Sequence, residues 1–198
     1  MARYDNPVVN KNVPRIGNAI SRGISQSILN IMGWKIIGTL PQEKKLVFIG
    51  APHTSNWDMV LAVSSMQSVG LRCHWMMKKQ VFIWPLGSLF KKLGGVPIDR
   101  SSKNDVTYQM ADWFYSQDKA YLGLTPEGTR SKVESFKRGY LRIAYTANVP
   151  VFLVGVDAIN KHVVLDKIWP LTGDIDVDNR AIKAYYDANY KGIRAHLG

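Results

Sequence analysis

The segment Lys45-Leu46-Val47-Phe48-Ile49 is apolar at every position after its lysine, and no other stretch restricts the possible folds so strongly. A strand with one face in water alternates apolar and polar side chains. A strand without alternation is covered on both faces, as in largely parallel sheets sandwiched by helices. This run leads into Gly50-Ala51-Pro52-His53-Thr54-Ser55-Asn56-Trp57-Asp58, and a helix-like stretch follows from Met59 to about Val69. The unit is strand, polar loop, helix. Further strand-like runs fall at 34–39, 71–77, 96–99, 120–124 and 149–156, and helix-like runs at 16–32, 106–117, 138–147 and 177–194. Beyond Asp157 the pattern weakens until the last helix, which carries Tyr185, Tyr186 and Tyr190. The alternation predicts an α/β fold with a mixed, largely parallel central sheet flanked by helices. The polar motifs sit just after strands, on the rim where open α/β sheets bind ligands.

The chain has 198 residues, enough to bury a real core, and is expected to form one domain. Within it, 1–40 reads as an arm with an amphipathic helix, 45–156 as the motif-bearing core and 157–198 as a closing segment. Hydrophobic residues make up 46% and charged residues 21%, a globular rather than a disordered balance. The lone Cys73 excludes an intrachain disulfide, fits a reducing compartment and is expected to be a small buried apolar residue. The net charge of +11 implies an anionic partner: nucleic acid, anionic lipid or a phosphorylated substrate. No stretch approaches the length of a membrane span, and residues 1–12 lack the apolar segment of a signal peptide. Residues 78–93 mix Lys78, Lys79, Lys91 and Lys92 with Phe82, Trp84 and Phe90, which suits contact with anionic lipid as well as a short packed helix with solvated lysines. Residues 16–32 likewise suit either core packing or a helix lying on a bilayer.

A histidine leaving a strand end and an aspartate entering the next helix can meet across the loop between them. The carboxylate then fixes the imidazole tautomer and stabilises its protonated form. His53 and Asp58 have that spacing, with no protein nucleophile beside them, so the nucleophile would be a hydroxyl brought by a substrate. The plainer reading makes Ser55 an N-cap, Asp58 a complement to the helix N-terminus and His53 an ordinary loop residue. His74, inside a strand-like run, reads as a structural histidine. A second polar signature, Thr125-Pro126-Glu127-Gly128-Thr129-Arg130-Ser131, stands far along the chain.

Taken with Gly94-Gly95-Val96-Pro97-Ile98-Asp99-Arg100 and Val149-Pro150-Val151-Phe152, these give four ordered blocks over more than half the chain. The ordered set resembles the glycerolipid acyltransferase family, also called lysophosphatidic-acid acyltransferase-like. The resemblance implies an acyltransferase-like fold and O-acyl transfer from an acyl thioester, carried by coenzyme A or acyl carrier protein, to the hydroxyl of a lysolipid such as 1-acylglycerol-3-phosphate. It implies His53 as general base, Asp58 as its orienting partner, and Arg100 and Arg130 on the acceptor phosphate. Glu127 would position the acceptor hydroxyl or a motif arginine, and Gly128, with Thr129 beside it, would let backbone approach the ligand. No metal and no cofactor beyond the thioester co-substrate is expected. The implied location is cytoplasmic, peripheral on the inner face of the cell membrane, with an anionic lipid surface as partner and no nucleic acid. The chain departs from the commonest family form: Pro52 stands before His53, and Asn56-Trp57 before Asp58. It also lacks the spanning N-terminal helix of many members. Acceptor identity is therefore open between a lysophosphatidic acid and a non-phosphate lipid such as a lyso-ornithine lipid. A thioester or ester hydrolase using the same pair is the competing enzyme class. A basic nucleic-acid-binding protein, suggested by charge alone, is the non-enzymatic alternative.

Overall fold

The structure is a computed structural model and describes residues 12–83, 86–99, 101 and 105–194. Its centre is β2 (Lys45–Ala51), flanked in parallel by β5 (Ala120–Leu124) and β6 (Val151–Asp157). β7 (His162–Ile168) runs antiparallel to β6, and β1 (Lys35–Gly38) pairs parallel with β7 at one edge, giving the order β1-β7-β6-β2-β5. A parallel pair, β3 (Trp75–Lys78) and β4 (Gly95–Ile98), continues this sheet beyond β5. The join is at His74, whose N–H donates to Tyr121 O at 2.7 Å and whose carbonyl accepts from Gly123 N at 2.7 Å. The sheet is mixed and largely parallel, as the alternation predicted.

The apolar run of β2 serves both faces. Val47, Ile49 and Ala51 pack with α4 (Val106–Ser116), α5 (Gly139–Ala147) and α6 (Ile175–Asn189) through Met110, Phe114, Leu141, Ile182 and Tyr186. Leu46 and Phe48 pack on the opposite side with Leu71, Tyr121 and Phe152. That side is roofed by α1 (Ala19–Met32) and α2 (Trp57–Ser68), which contribute Leu29 and Leu61. α1 is closed at its start by a capping box between Asn18 and Ser21, and at its end by Gly33 in the left-handed conformation. Only Ser25 and Leu29 of α1 are buried. Ile20, Ile24 and Ile31 face out, so much of the apolar stripe is not used in the core.

The structure corrects several sequence expectations. Residues 71–74 do not join β3: Leu71 bridges to Arg15 and His74 to Leu122 as separate contacts. The segment beyond Lys78 opens with a 3-10 turn, Lys79–Val81, before the short helix that the sequence allowed, α3 (Leu86–Leu93). Trp84, also part of that segment, lies outside the described residues. α4 is capped by Asp105, whose side chain accepts from Thr107 N. β7 was not foreseen. Its residues His162-Val163-Val164-Leu165-Asp166-Lys167-Ile168 do alternate in part, but a strand between a parallel core and an edge presents a weaker apolar signal than β2.

His74 is structural, as expected. It is buried, its Nδ1 lies 3.2 Å from Tyr121 O, and its ring packs edge-on against Trp113. Burial holds its pKa below that of an ordinary histidine. Cys73 is buried too, and desolvation pushes its thiol up to about 12, so it is held as an unreactive apolar side chain.

Candidate active site

β2 and β5 are parallel neighbours, with Ile49 opposite Leu124. The loops that leave their C-terminal ends therefore emerge side by side. This register brings together two polar signatures that lie far apart in sequence.

His53 is partly exposed, and its Nδ1 lies 3.0 Å from Asp58 Oδ2. Asp58, 8% exposed, stands in the first turn of α2. The same Oδ2 accepts the backbone N–H groups of Thr54 at 2.6 Å and Ser55 at 2.7 Å. The carboxylate oxygen is thus an acceptor held from three sides. A ring proton on Nδ1 would donate to this oxygen and leave the Nε2 lone pair for an incoming proton. Of the plainer reading of this loop, the part that gives Asp58 to the first turn of α2 holds, and the part that makes Ser55 the N-cap does not. The N-cap of α2 is Asn56, whose side chain makes no cap bond, and Ser55 Oγ instead accepts from Trp57 N at 3.2 Å. Asp58 does complement the helix N-terminus, and one carboxylate serves both ends.

Glu127 is the second carboxylate of the site. It is 7% exposed, and its Oε1 accepts the backbone N–H of His53 at 2.9 Å. The bond ties the β5 loop to the base of the histidine. Burial holds the carboxyl above the usual carboxylate range, and the His53 N–H pulls the other way. Oε2 of Glu127 and Oδ1 of Asp58 are buried without a hydrogen-bond partner among the described residues. Gly128 has φ +63°, so the turn needs glycine for its conformation, and the exposed Lys137 side chain lies over it. Thr129 is exposed, and its Oγ1 accepts from Ser131 N at 3.4 Å, a contact within the turn. Arg130 is exposed, and one guanidinium N–H group donates to Asn56 Oδ1. The structure thus brings His53, Asp58, Glu127 and Arg130 to one place. Arg100 lies outside the described residues; Asp99, at the end of β4, pairs with Lys79 at 3.8 Å.

Two contributors were missed by sequence reasoning. Asn56 was noted only as a departure from the usual motif, yet it receives Arg130. The second is the tail after α6. Arg194 N donates to Thr54 Oγ1 at 3.1 Å, and Ala158 N donates to Lys191 O at 2.9 Å. The chain end therefore straps the loop that holds Asp58. No motif marks it, because backbone atoms make the contacts.

Among the described residues, no helix is long and apolar enough to cross a membrane. No curated protein sequence matches the chain. The crystal structure of the 1-acyl-sn-glycerophosphate (LPA) acyltransferase PlsC from Thermotoga maritima superposes with a TM-score of 0.56 at 16% identity, covering 87% of this chain and 80% of that one. At that identity the likeness establishes the shared α/β fold. The acyltransferase family model matches residues 35–157, from β1 through the His53 loop and the Glu127 loop to the end of β6. The chain belongs to the acyltransferase family and is an acyltransferase.

Proposed function

We propose that this acyltransferase moves a fatty acyl group from a thioester donor to the hydroxyl of a lysophospholipid-type acceptor at a membrane surface, with His53 as general base. The observation that carries the reading is the 3.0 Å contact of His53 Nδ1 with an Asp58 oxygen that two backbone N–H groups also hold. Nε2 takes the proton of the acceptor hydroxyl as its oxygen attacks the thioester carbonyl. The new C–O bond forms and the C–S bond breaks. The proton passes from the imidazolium to the departing thiolate, giving an ester and a free thiol. The donor is already activated, so no acyl-enzyme is required. Arg130 offers its guanidinium to the acceptor phosphate beside Asn56, and Arg100 is assigned the same role from its motif alone.

The surface beside the loop supports acceptor delivery from lipid. Trp57 and Met59 flank Asp58 and are 60% and 65% exposed, with Val60 and Val63 exposed behind them. α1 packs on α2 and adds the exposed Ile20, Ile24 and Ile31. Exposed apolar side chains of this size on a chain of net charge +11 suit an anionic bilayer.

The test is purified protein with acyl-CoA and a panel of lysolipids, reading free thiol and lipid product together. Ester formed in step with thiol, only when a lysolipid is present, is the expected result. Free fatty acid released whether or not an acceptor is present would assign the pair to hydrolysis instead.

A further inference from the structure

A cleft of about 200 Å³ opens next to the catalytic loop, on the side away from α2. Its walls include Pro52, Phe136, Tyr186 and Tyr190, all buried and apolar in their ring surfaces. Phe136, Tyr186 and Tyr190 belong to the core on the α4–α5–α6 face of the sheet. The exposed apolar residues of α1 and α2 lie over the opposite face. The buried end of the cleft is lined by Glu127, whose second carboxylate oxygen has no partner among the described residues. The outer end is lined by Lys132 and Lys191, both exposed. Lys183 also lines it but is paired with Asp187 at 2.6 Å, so that acidic side chain is neutralised in place.

Resting on the acyl-transfer reading, we propose that this cleft receives the phosphopantetheine arm of the thioester donor, with its phosphate between Lys132 and Lys191. Three features select that chemistry. The space is small, about 200 Å³, and partly walled by apolar ring surfaces, which suits a slender chain. The buried, unpartnered Glu127 oxygen calls for an N–H or O–H donor; a pantetheine arm carries amide N–H groups and a hydroxyl, and a fatty chain carries none. The basic residues stand at the mouth, where the arm's phosphate would emerge into water. The arrangement also separates the two substrates. The lipid acceptor approaches from the α1–α2 side and the water-soluble donor from the α6 side, and they meet at His53.

Coenzyme A and acyl carrier protein share this arm, so the shared chemistry is tested first. Titration calorimetry with 4′-phosphopantetheine, pantetheine and coenzyme A, none of which carries an acyl group to transfer, is run on the otherwise intact His53→Ala protein. Phosphopantetheine should bind at least tenfold more tightly than pantetheine. The Lys132→Glu/Lys191→Glu variant should erase that difference, while the Lys78→Glu/Lys92→Glu control, outside the cleft, should keep it. In turnover on the wild-type background, the cleft variant should raise the donor KM at least tenfold and leave the acceptor KM unchanged. Full-strength effects with acyl-CoA assign coenzyme A as the source; effects with acyl carrier protein only assign the carrier. Equal binding of the two pantetheine forms, or a rise in acceptor KM instead, would overturn the proposal. Binding that behaves as expected in a wild-type protein that makes no ester would leave the cleft standing and sink the acyl-transfer reading alone.

Discussion

At the residue scale, the site rests on two carboxylates with different tasks. Asp58 accepts from three donors on one oxygen and orients His53. His53→Ala should lower kcat by about a hundred- to ten-thousand-fold with folding intact. Asp58→Asn should also lose most activity, because the amide removes the charge facing the imidazolium. Steady-state rates with circular dichroism as the folding control check both, and unchanged turnover in the pair would remove the mechanism. Glu127 carries a cost instead. Its pKa is raised by burial, so the folded state favours the neutral form. Its contribution to stability is therefore largest below the unfolded-state carboxylate pKa and is lost as pH rises through the higher folded-state value. Glu127→Gln keeps an acceptor for the His53 N–H without the charge. It should be more stable than wild type by about 1–3 kcal/mol at pH 8, with the gain fading as pH falls through the carboxylate range. Urea unfolding at both ends of that range reads the difference, and a gain independent of pH would contradict it. His53, Asp58 and the Glu127 block were legible in sequence because each is a side-chain motif beside a strand end. The bond from His53 N–H to Glu127 was not legible, because it depends on the β2–β5 register.

At the element scale, β2 was legible because burial on both faces removes alternation, and the closing helix was legible from its periodicity. β7 was not, nor was the tail after α6. The tail matters through close packing. A Cβ on Gly192 would lie 2.6–2.7 Å from Thr54 side-chain atoms, and Thr54 donates its N–H to Asp58. Gly192→Ala should push the loop outward and shift that donor. Small displacements of an orienting group lower the rate of the chemical step rather than substrate binding. The expected outcome is a drop in kcat of about tenfold or more, with donor and acceptor KM held. A general loss of stability would instead lower the unfolding midpoint and leave the kcat of the folded fraction unchanged, so active-site titration alongside denaturant unfolding separates the two. Gly155 offers the matching test of pure packing: a Cβ there would come 2.1 Å from the Tyr190 ring. Gly155→Ala should destabilise the fold by about 1–3 kcal/mol through overpacking, read as a lower urea midpoint at unchanged slope.

At the scale of the whole molecule, charge and apolar exposure act together on where the protein works. The sequence left α1 open between core packing and bilayer contact, since periodicity reports an apolar stripe but not what covers it. In the structure α1 buries Ser25 and Leu29, on the side opposite Ile20, Ile24 and Ile31, and leaves those three outside, Ile31 at 86% exposure. Each large aliphatic side chain moved from water into lipid is worth about 1.5–3 kcal/mol when fully buried, and proportionately less at an interface. Three such residues beside Trp57 and Met59 supply enough for reversible docking, and the net charge of +11 adds long-range attraction to anionic headgroups. The protein should therefore sediment with phosphatidylglycerol vesicles more than with phosphatidylcholine vesicles, and added salt should weaken the preference. Ile20→Asp/Ile24→Asp/Ile31→Asp should reduce vesicle binding at least tenfold, because it removes apolar surface and opposes the anionic headgroups at once. Turnover of a short-chain, water-soluble acceptor should survive in that variant, since all three lie on the exposed surface of α1, while turnover of a vesicle-borne lysolipid should fall with binding. Unchanged vesicle binding would show that α1 does not meet the bilayer. A lipid-free dimer that the same substitutions dissolve would assign the face to a second copy of the chain.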